Sequence, residues 1–361
     1  MISVSRLLNG RQEGGDSVRF SPDTSYPKVL VFNVTKNCNL RCEHCYSSSG
    51  GGHFQDLSLD KWLKGIKEAS DMGVKHILLS GGEPLARPDL PLIAKEAHDR
   101  GISVELSTNG TMLKDKLESM RRYVSYVGIS VDGPEPIHDD FRGVPGAYKK
   151  ALDGIRYSRD LGIKTGIRFT ITSRNYQYIP HIFDLMREEK LQRVCFYHLG
   201  YAGRASKGID VSNEVRYKVI RQVIELTKGL DFEVLTADNP VDGILIYHVT
   251  KSDRVKELLM RNGGNKSGER IADISPEGEI YPDQFTRIRI GDLENLRATW
   301  DNPTELLTKL RSRRKYVKCS LCPFFDMCNG GLRGRAFSLG DLWGRDPSCY
   351  LDQLLKGESL V

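Results

Sequence analysis

Apolar runs of strand length alternate with amphipathic stretches of helix length between residue 28 and about residue 199. The apolar runs predict strands over 29–34, 76–80, 103–108, 125–131, 164–172 and 193–199, and the stretches between them predict helices over about 58–72, 89–100, 113–122, 147–161 and 178–189. Repeated strand–helix units are typical of a parallel sheet. We therefore predict an α/β fold, a partial (β/α)6 TIM-like barrel whose strands all end at one mouth.

The pattern changes on both sides of this region. Residues 1–27 contain glycine and proline with little apolar periodicity, which indicates an irregular lead-in. Beyond about residue 210 the alternation lapses, and we expect helices over about 213–229, 252–261 and 302–314 and a hairpin over 270–285. The expected organisation is a barrel domain over 28–225 and a small C-terminal iron–sulfur extension over 226–361.

Composition narrows the class of protein. The 361 residues are 39% hydrophobic and 28% charged, with no run of eighteen apolar residues and no secretory leader, so we expect a cytoplasmic protein without a membrane partner. The net charge of +6 is spread out except over 311–318 (RSRRKYVK). That run is interpreted as a solvated helix face or as an attraction for a small polyanion, and nucleic-acid binding is not expected.

Seven of the eight cysteines form two groups. Cys38, Cys42 and Cys45 in CNLRCEHC can hold one four-iron cluster and leave one iron open to a chelating ligand. The alternatives are half of a zinc site or a group of reduced thiols. The second group offers four ligands to an auxiliary cluster or to a structural zinc ion, and its members are Cys319, Cys322, Cys328 and Cys349. Cys195 alternates with apolar residues in a strand and is expected in the core.

Glycine and polar residues follow successive predicted strands, where a barrel would gather them at its mouth. They include the GGEP motif (Gly81, Gly82, Glu83 and Pro84), Asn109 and Ser130, and the fifth strand carries Arg168 near its middle. A guanidinium group at residue 168 could clamp a carboxylate through two hydrogen bonds. The alternative for each position is a turn residue that satisfies the local backbone.

The cysteine triplet, the Tyr46 that follows it and the GGEP motif one strand–helix unit later resemble the signature of the radical S-adenosylmethionine enzymes. The resemblance implies that Cys38, Cys42 and Cys45 hold a [4Fe–4S] cluster and that Gly81, Gly82 and Glu83 bind the methionyl amino group of S-adenosylmethionine. Further cofactor contacts are expected from Tyr46, Asn109, Ser130 and Arg168. The second cysteine group resembles the SPASM or twitch extension, which implies a second, auxiliary [4Fe–4S] cluster.

Several stretches resemble the radical enzymes that modify side chains of iron tetrapyrroles, namely 76–87, 105–110, 167–172, 201–204, 281–285 and 328–351. The resemblance implies haem biosynthesis, with removal of two acetate arms from 12,18-didecarboxysiroheme to give iron-coproporphyrin III. The alternatives are a haem synthase that decarboxylates propionates, a propionate-removing enzyme of the nitrite-reductase haem, and a peptide-modifying SPASM maturase. An iron tetrapyrrole substrate and an electron donor such as ferredoxin or flavodoxin are the expected partners.

A substrate rich in carboxylates requires basic groups around its pocket. Four arginines next to glycines in predicted mouth or lid loops are the candidates, with ordinary surface positions as the alternative: Arg142, Arg204, Arg333 and Arg335. His198 and Tyr201 are the candidate catalytic residues, because they follow the sixth strand and could donate a proton or ligate the substrate iron. A structural role is the alternative for His198.

Overall fold

The apolar runs form the strands of one large sheet. The computed structural model of the chain describes residues 1–21 and 25–356 and contains an 11-stranded sheet. Its strands are β1 (Ile2–Ser3), β2 (Val29–Asn33), β3 (His76–Ser80), β4 (Ser103–Thr108), β5 (Val124–Ser130), β6 (Lys164–Ile171), β7 (Arg193–His198), β8 (Glu233–Ala237), β9 (Ile271–Ile274), β10 (Glu279–Tyr281) and β11 (Gly291–Asp292).

Helices connect the strands and cover the sheet. The α-helices are α1 (Val4–Asn9), α2 (Asp16–Arg19), α3 (Leu59–Asp71), α4 (Leu90–Asp99), α5 (Leu113–Lys116), α6 (Glu135–Arg142), α7 (Ala147–Asp160), α8 (Ile179–Glu188), α9 (Asn213–Thr227), α10 (Val241–Thr250), α11 (Asp253–Asn262), α12 (Leu296–Asp301), α13 (Glu305–Arg311), α14 (Phe325–Cys328), α15 (Arg333–Ser338) and α16 (Leu351–Lys356). Short 3-10 helices lie at Pro84–Ala86, Glu118–Met120, Tyr176–Tyr178, Lys207–Ile209, Leu293–Asn295 and Arg313–Lys315.

The strand order is that of an open, partial barrel. Strands β2 to β8 are parallel neighbours in chain order, and β9 adds a further parallel strand beside β2. Antiparallel β1 lies at one edge and the antiparallel pair β10 and β11 lies at the other. The six predicted barrel strands are confirmed as β2 to β7, and the sheet extends beyond them.

Helix α3 illustrates how the pattern produces the fold. It begins after Ser58, and its apolar side chains recur every three or four residues, so that Trp62 and Ile66 are fully buried. The Trp62 indole packs on Phe32 of β2, with 4.8 Å between the ring centroids. Full burial of a large apolar side chain contributes about 1.5–3 kcal/mol, which secures the helix against the sheet.

The N-terminal region is more regular than the sequence predicted. Strand β1 pairs with β8 through Ile2 and Ser3, and helices α1 and α2 follow, so the prediction of an irregular lead-in over 1–27 is wrong for the residues described there. Elements of two to six residues are too short to show a period. Part of the predicted lead-in, residues 22–24, lies outside the described residues.

The region after residue 226 continues the same sheet, because β8 pairs with β7 and β9 pairs with β2. The predicted division of the chain at 225 and 226 stays a prediction. Over residues 1–21 and 25–356, none of the helices has both the length and the apolar character needed to cross a membrane.

Candidate active site

Loops at the C-terminal ends of the parallel strands surround a cavity. Most of the candidate residues line it together, as the barrel model required: Cys38, Cys42, Cys45, Tyr46, Gly81, Gly82, Asn109, Ser130, Arg142, Arg168, His198 and Arg204. Outside the second cysteine group, the candidates that do not line this cavity are Glu83, Tyr201, Arg333 and Arg335.

The cysteine loop is held from the side of β7 by Arg204. Its Nε donates to the carbonyl oxygen of Cys42 at 2.8 Å, its Nη1 donates to Ser49 O at 2.9 Å, and its backbone N–H donates to Cys45 O at 2.9 Å. Its Nη2 is buried without a hydrogen-bond partner among the described residues. Arg204 therefore positions the cysteine loop, and its Nη2 remains available to a ligand.

Arg142 lies behind Cys42, buried at the end of α6. Its Nε donates to Asp132 Oδ2 at 2.6 Å, and its Nη1 lies 3.6 Å from Cys42 Sγ. Burial disfavours charge on the enclosed Asp132, but the Arg142 guanidinium holds the pKa of that carboxyl below its usual value. Arg142 lines the cavity but bonds to Asp132 and Cys42, so its predicted role toward substrate carboxylates stays a prediction.

The two glycines of the GGEP motif allow close packing against the segment that precedes the cysteines. A Cβ on Gly81, whose φ is +135°, would lie 2.4 Å from Thr35 O, and one on Gly82 would lie 2.3 Å from Asn37 O. Gly82 N–H donates to Thr35 O at 2.7 Å. Only glycine fits at these positions, so the motif aligns the ends of β2 and β3 and also lines the cavity.

Glu83 is fully buried beneath the motif. One of its oxygens accepts from Thr108 Oγ1 at 2.7 Å and from Leu85 N–H at 3.1 Å, and the other accepts from Asn109 N–H at 2.8 Å. Burial raises the pKa of Glu83 to about 7. The contacts join the end of β3 to the end of β4, whereas a direct bond from Glu83 to a cofactor stays a prediction.

Arg168 points from β6 into the barrel. Its guanidinium stacks on the Tyr197 ring, with 4.4 Å to the centroid, and Gly128 leaves room for its side chain, since a Cβ there would lie 2.8 Å from Arg168 Cδ. Among the residues that the structure describes, Arg168 forms no ion pair with a carboxylate. Its charge is therefore available to an anionic ligand.

The other predicted cofactor residues differ in how far their polar groups are occupied. The Tyr46 hydroxyl donates to Asn33 Oδ1 at 2.7 Å, and its ring lies edge-on to Phe285 at 5.9 Å. The Asn109 side chain donates to Asn39 Oδ1 at 2.9 Å and accepts from Thr111 N–H at 2.9 Å. Ser130 lines the cavity beside Arg168.

Both candidate catalytic residues belong to a buried polar network. His198 Nε2 lies 2.8 Å from Asp242 Oδ2, and Arg216 Nη1 lies 3.5 Å from His198 Nδ1, so both ring nitrogens have partners. The Tyr201 hydroxyl donates to Asp210 Oδ2 at 2.6 Å. His198 lines the cavity with both ring nitrogens occupied, whereas Tyr201 does not line it, and a catalytic role for either residue stays a prediction.

The second cysteine group lines a separate cavity, to which Cys319, Cys322, Cys328 and Cys349 all contribute. Arg345 Nη2 lies 3.5 Å from Cys349 Sγ, and burial raises the pKa of Cys328. Within residues 1–21 and 25–356, no group of three or more His, Cys, Asp or Glu side chains is arranged to hold a metal ion. The ligand assignments of all seven cysteines therefore stay predictions.

Arg333 and Arg335 lie inside the protein, so their prediction as substrate arginines at the rim is wrong. Arg333 donates to Leu342 O at 3.0 Å and to Gly344 O at 2.7 Å. Arg335 forms a two-point ion pair with Asp346, both bonds measuring 2.9 Å. The neighbouring glycines suggested exposed loops, but both arginines lie in α15 with their side chains buried. Cys195 is buried in β7, as expected.

Asp238, Gln284 and Phe285 also line the cavity, although the sequence analysis gave none of them a role. Phe285 is held between two glycines, because a Cβ on Gly200 would lie 2.2 Å from its ring and one on Gly334 would lie 2.6 Å from its Cβ. Asp238 directly follows β8, a strand that was also missed. The sequence did contain a signal for the end of this strand, because a polar Asp-Asn-Pro sequence follows its apolar residues.

Comparison with known proteins gives a consistent set of relatives. The model of the radical SAM superfamily matches residues 32–186. The chain is similar to the Fe-coproporphyrin III synthase of Methanosarcina barkeri (strain Fusaro / DSM 804), at 38% identity over 97% of this chain and 98% of that protein. It is also similar to the pre-heme d1 synthase of Dinoroseobacter shibae, at 34% identity over 90% of this chain and 86% of that protein.

A solved structure shares the fold. Streptococcus suis SuiB bound to S-adenosylmethionine superposes with a TM-score of 0.72 at 19% identity, covering 90% of this chain and 77% of that one. At this identity the likeness concerns the fold alone.

Proposed function

This chain belongs to the radical SAM superfamily, within its tetrapyrrole-modifying family, and we propose that it removes two acetate side chains from 12,18-didecarboxysiroheme to give iron-coproporphyrin III. The observation that carries this proposal is the 38% identity to an Fe-coproporphyrin III synthase along nearly the whole of both chains. Removal of propionates from a related haem precursor is the second candidate, favoured by the 34% identity to a pre-heme d1 synthase.

The first cysteine group supplies the set of donors that the cofactor for such chemistry requires. Cys38, Cys42 and Cys45 supply three thiolates at the wall of the cavity, and three ligands on a four-iron cluster leave one iron for S-adenosylmethionine. When bound, the cluster and its ligand supply one-electron abstraction of hydrogen from an unactivated carbon. The unpartnered Nη2 of Arg204 and the Arg142 contact to Cys42 are suited to an anionic group beside this loop.

Other residues around the cavity would bind and orient the cofactor. Arg168, which has no carboxylate partner among the described residues, would clamp the cofactor carboxylate. The backbone of Gly81 and Gly82 would accept from its amino group, and Glu83 would keep that backbone in place from below. Tyr46 and Phe285 form an aromatic wall that excludes water from the reacting carbon.

The second cysteine group would hold an auxiliary [4Fe–4S] cluster. Its four sulfur donors line one cavity, which matches full thiolate ligation and leaves no iron open to substrate. Such a cluster would exchange electrons with the active site and with an external donor such as ferredoxin or flavodoxin. A structural zinc ion is the alternative for the same four donors.

The tetrapyrrole would enter the interior of the barrel. An interior chamber adjoins the mouth cavity and shares Arg168, Tyr197, Asp238, Gln284 and Phe285 with it. Its walls combine apolar strand residues with basic groups, including Val29, Val31, Leu78, Leu235, Arg19, Arg193 and Arg270. An apolar slot with basic groups suits a flat macrocycle that carries carboxylates.

The test is anaerobic incubation of the reconstituted protein with each candidate tetrapyrrole, followed by mass spectrometry of the products. Substrate deuterated at the carbons expected to lose hydrogen should pass deuterium to 5′-deoxyadenosine, and free acetate should appear with iron-coproporphyrin III. A variant that carries Cys38→Ala, Cys42→Ala and Cys45→Ala is the control, and it should form none of these products. Loss of carbon dioxide in place of acetate would favour the haem synthase reaction. Absence of tetrapyrrole binding would favour the peptide-modifying alternative.

A further inference from the structure

Asp238 occupies a distinctive place between the two cavities of the barrel. It is the first residue after β8, and it lines both the mouth cavity and the interior chamber. The C-terminal ends of parallel strands are where barrel enzymes carry their reactive groups. A carboxyl at this junction faces the place where the bound cofactor and the macrocycle would meet.

The backbone of Asp238 is held in an uncommon conformation. Its φ of +67° lies in the left-handed region, which residues other than glycine seldom adopt, although aspartate, asparagine and histidine do so more often than most. Arg335 donates to the Asp238 carbonyl oxygen, and the neighbouring Asn239 donates to Ser348 O at 2.8 Å. Contacts from the C-terminal region thus maintain the conformation, as is common where a backbone is shaped for function.

The carboxyl of Asp238 forms no hydrogen bond or ion pair within the part of the chain that the structure describes. Other enclosed acids of this region have partners: Asp242 accepts from Tyr350 at 2.7 Å, and Asp346 accepts from Arg335 at 2.9 Å. Asp238 is half-buried, and its carboxyl opens on both cavities without a protein partner, so the group remains able to bind a ligand there. The Asp238 carboxyl can therefore still bind a ligand, whereas the carboxyls of Asp242 and Asp346 are already occupied.

Its surroundings favour the protonated form. Burial raises the pKa of Asp238, and the nearby Asp283 acts in the same direction. The Met1 amino group, Arg335 and His198 also face it and oppose the rise, but they do not reverse it. The group can therefore carry a proton to the cavity at higher pH than an exposed aspartate can.

We propose that Asp238 is a catalytic residue that donates the proton taken up by the departing acetate arm. The inference rests on the proposed function. Once a ring hydrogen atom has moved to the 5′-deoxyadenosyl radical, the carbon–carbon bond to the arm breaks, the ring gains a double bond and the arm leaves as a carboxymethyl radical. One electron from an iron–sulfur centre of the enzyme and one proton from Asp238 convert that radical to acetate. Solvent then reprotonates Asp238.

The test compares wild type with D238N and D238E, and with D231N as the matched control. Asparagine accepts the left-handed backbone and keeps the shape of the side chain but carries no acidic proton. Asp231 is exposed on the loop before β8 and lies outside both cavities. In D238N we expect tetrapyrrole-dependent 5′-deoxyadenosine to stay within about twofold of wild type while acetate release falls about 100-fold, the usual scale of one general acid. D238E should restore part of the release, and D231N should match wild type.

A second readout is independent of turnover. The infrared difference spectrum of anaerobic wild-type holoenzyme minus D238N at neutral pH should contain the band of a protonated carboxyl. Unchanged acetate release in D238N, an equal loss of 5′-deoxyadenosine and acetate, or absence of the infrared band would each overturn the role of Asp238 alone. Wild-type enzyme that releases no acetate from any tetrapyrrole would overturn the proposed function, and this inference with it.

Discussion

Replacement of Arg335 by methionine should destabilise the fold strongly without acting on a substrate contact. Arg335 and Asp346 are almost completely buried, and their two bonds measure 2.9 Å each. Arg335 also donates to Leu199 O at 3.0 Å and to the Asp238 carbonyl. The change would leave the Asp346 charge enclosed without its main partner, which typically costs about 3–5 kcal/mol.

That cost is a large fraction of the 5–15 kcal/mol that typically stabilises a folded protein. The assay is urea denaturation of the anaerobic protein, followed by circular dichroism, for R335M, D346N and the double variant. Since D346N removes the charge that R335M exposes, we expect the double variant to be less destabilised than the sum of the single variants by about 1–3 kcal/mol. R335K keeps the charge but loses the two-point geometry, so it should lie between wild type and R335M.

The dependence on pH provides a further check of the same ion pair. Burial acts to raise the pKa of Asp346, but Arg335 lowers it below the ordinary 3.8 overall. The stabilisation by this pair is therefore complete above pH 3.8 and is lost as the pH falls through the lowered pKa. An unfolding free energy within 1 kcal/mol of wild type in R335M, together with weaker tetrapyrrole binding, would refute the reasoning and restore Arg335 as a substrate residue.

Three further predictions concern the clusters and Glu83. Anaerobically reconstituted protein should contain about eight irons. A variant with alanine at Cys319, Cys322, Cys328 and Cys349 should lose four of them. Stoichiometric zinc in the wild type would contradict the auxiliary cluster. R142Q should lower the midpoint potential of the first cluster, because it removes a positive hydrogen-bond donor beside Cys42. The measurement is a redox titration followed by electron paramagnetic resonance. R174Q, at an exposed arginine paired with Glu43, is the control and should leave that potential unchanged. Because burial raises the pKa of Glu83 from 4.5 to about 7, the unfolding free energy of wild type should fall by about 3 kcal/mol as the pH rises between these values. In urea denaturation over the same pH interval, the unfolding free energy of E83Q should fall by about 3 kcal/mol less than that of wild type.

The sequence predicted the barrel because long apolar runs have a clear period. Strands β2 to β7 carry five to eight residues each, separated by amphipathic helices. Strand β8 has five residues and follows a region without alternation, and β1 has only two, so neither produced a pattern that could be separated from its surroundings.

The mouth of the barrel was predictable for a related reason. Residues that directly follow parallel strands must meet at one end, whatever the details of packing, so Gly81, Asn109, Ser130 and Arg204 were correctly expected to lie together. The roles of the arginines were not predictable. Arg335 is paired with Asp346 and with the carbonyl of Leu199, which is 136 residues away, and a sequence pattern does not reveal partners at that separation.

The pairing of β2 with β9 has a consequence for the way the protein is made. Val29 of β2 lies opposite Ile271, and the last paired residues are Phe32 and Ile274. At typical translation rates of about 5–20 residues per second, the ribosome needs on the order of 10–50 s to reach β9 after β2. During that time one edge of β2, the strand that leads into the cysteine loop, has no partner. Iron delivered after release from the ribosome would reach a protein in which β9 is paired with β2. Iron delivered during synthesis would reach a chain in which this edge of β2 is still unpaired.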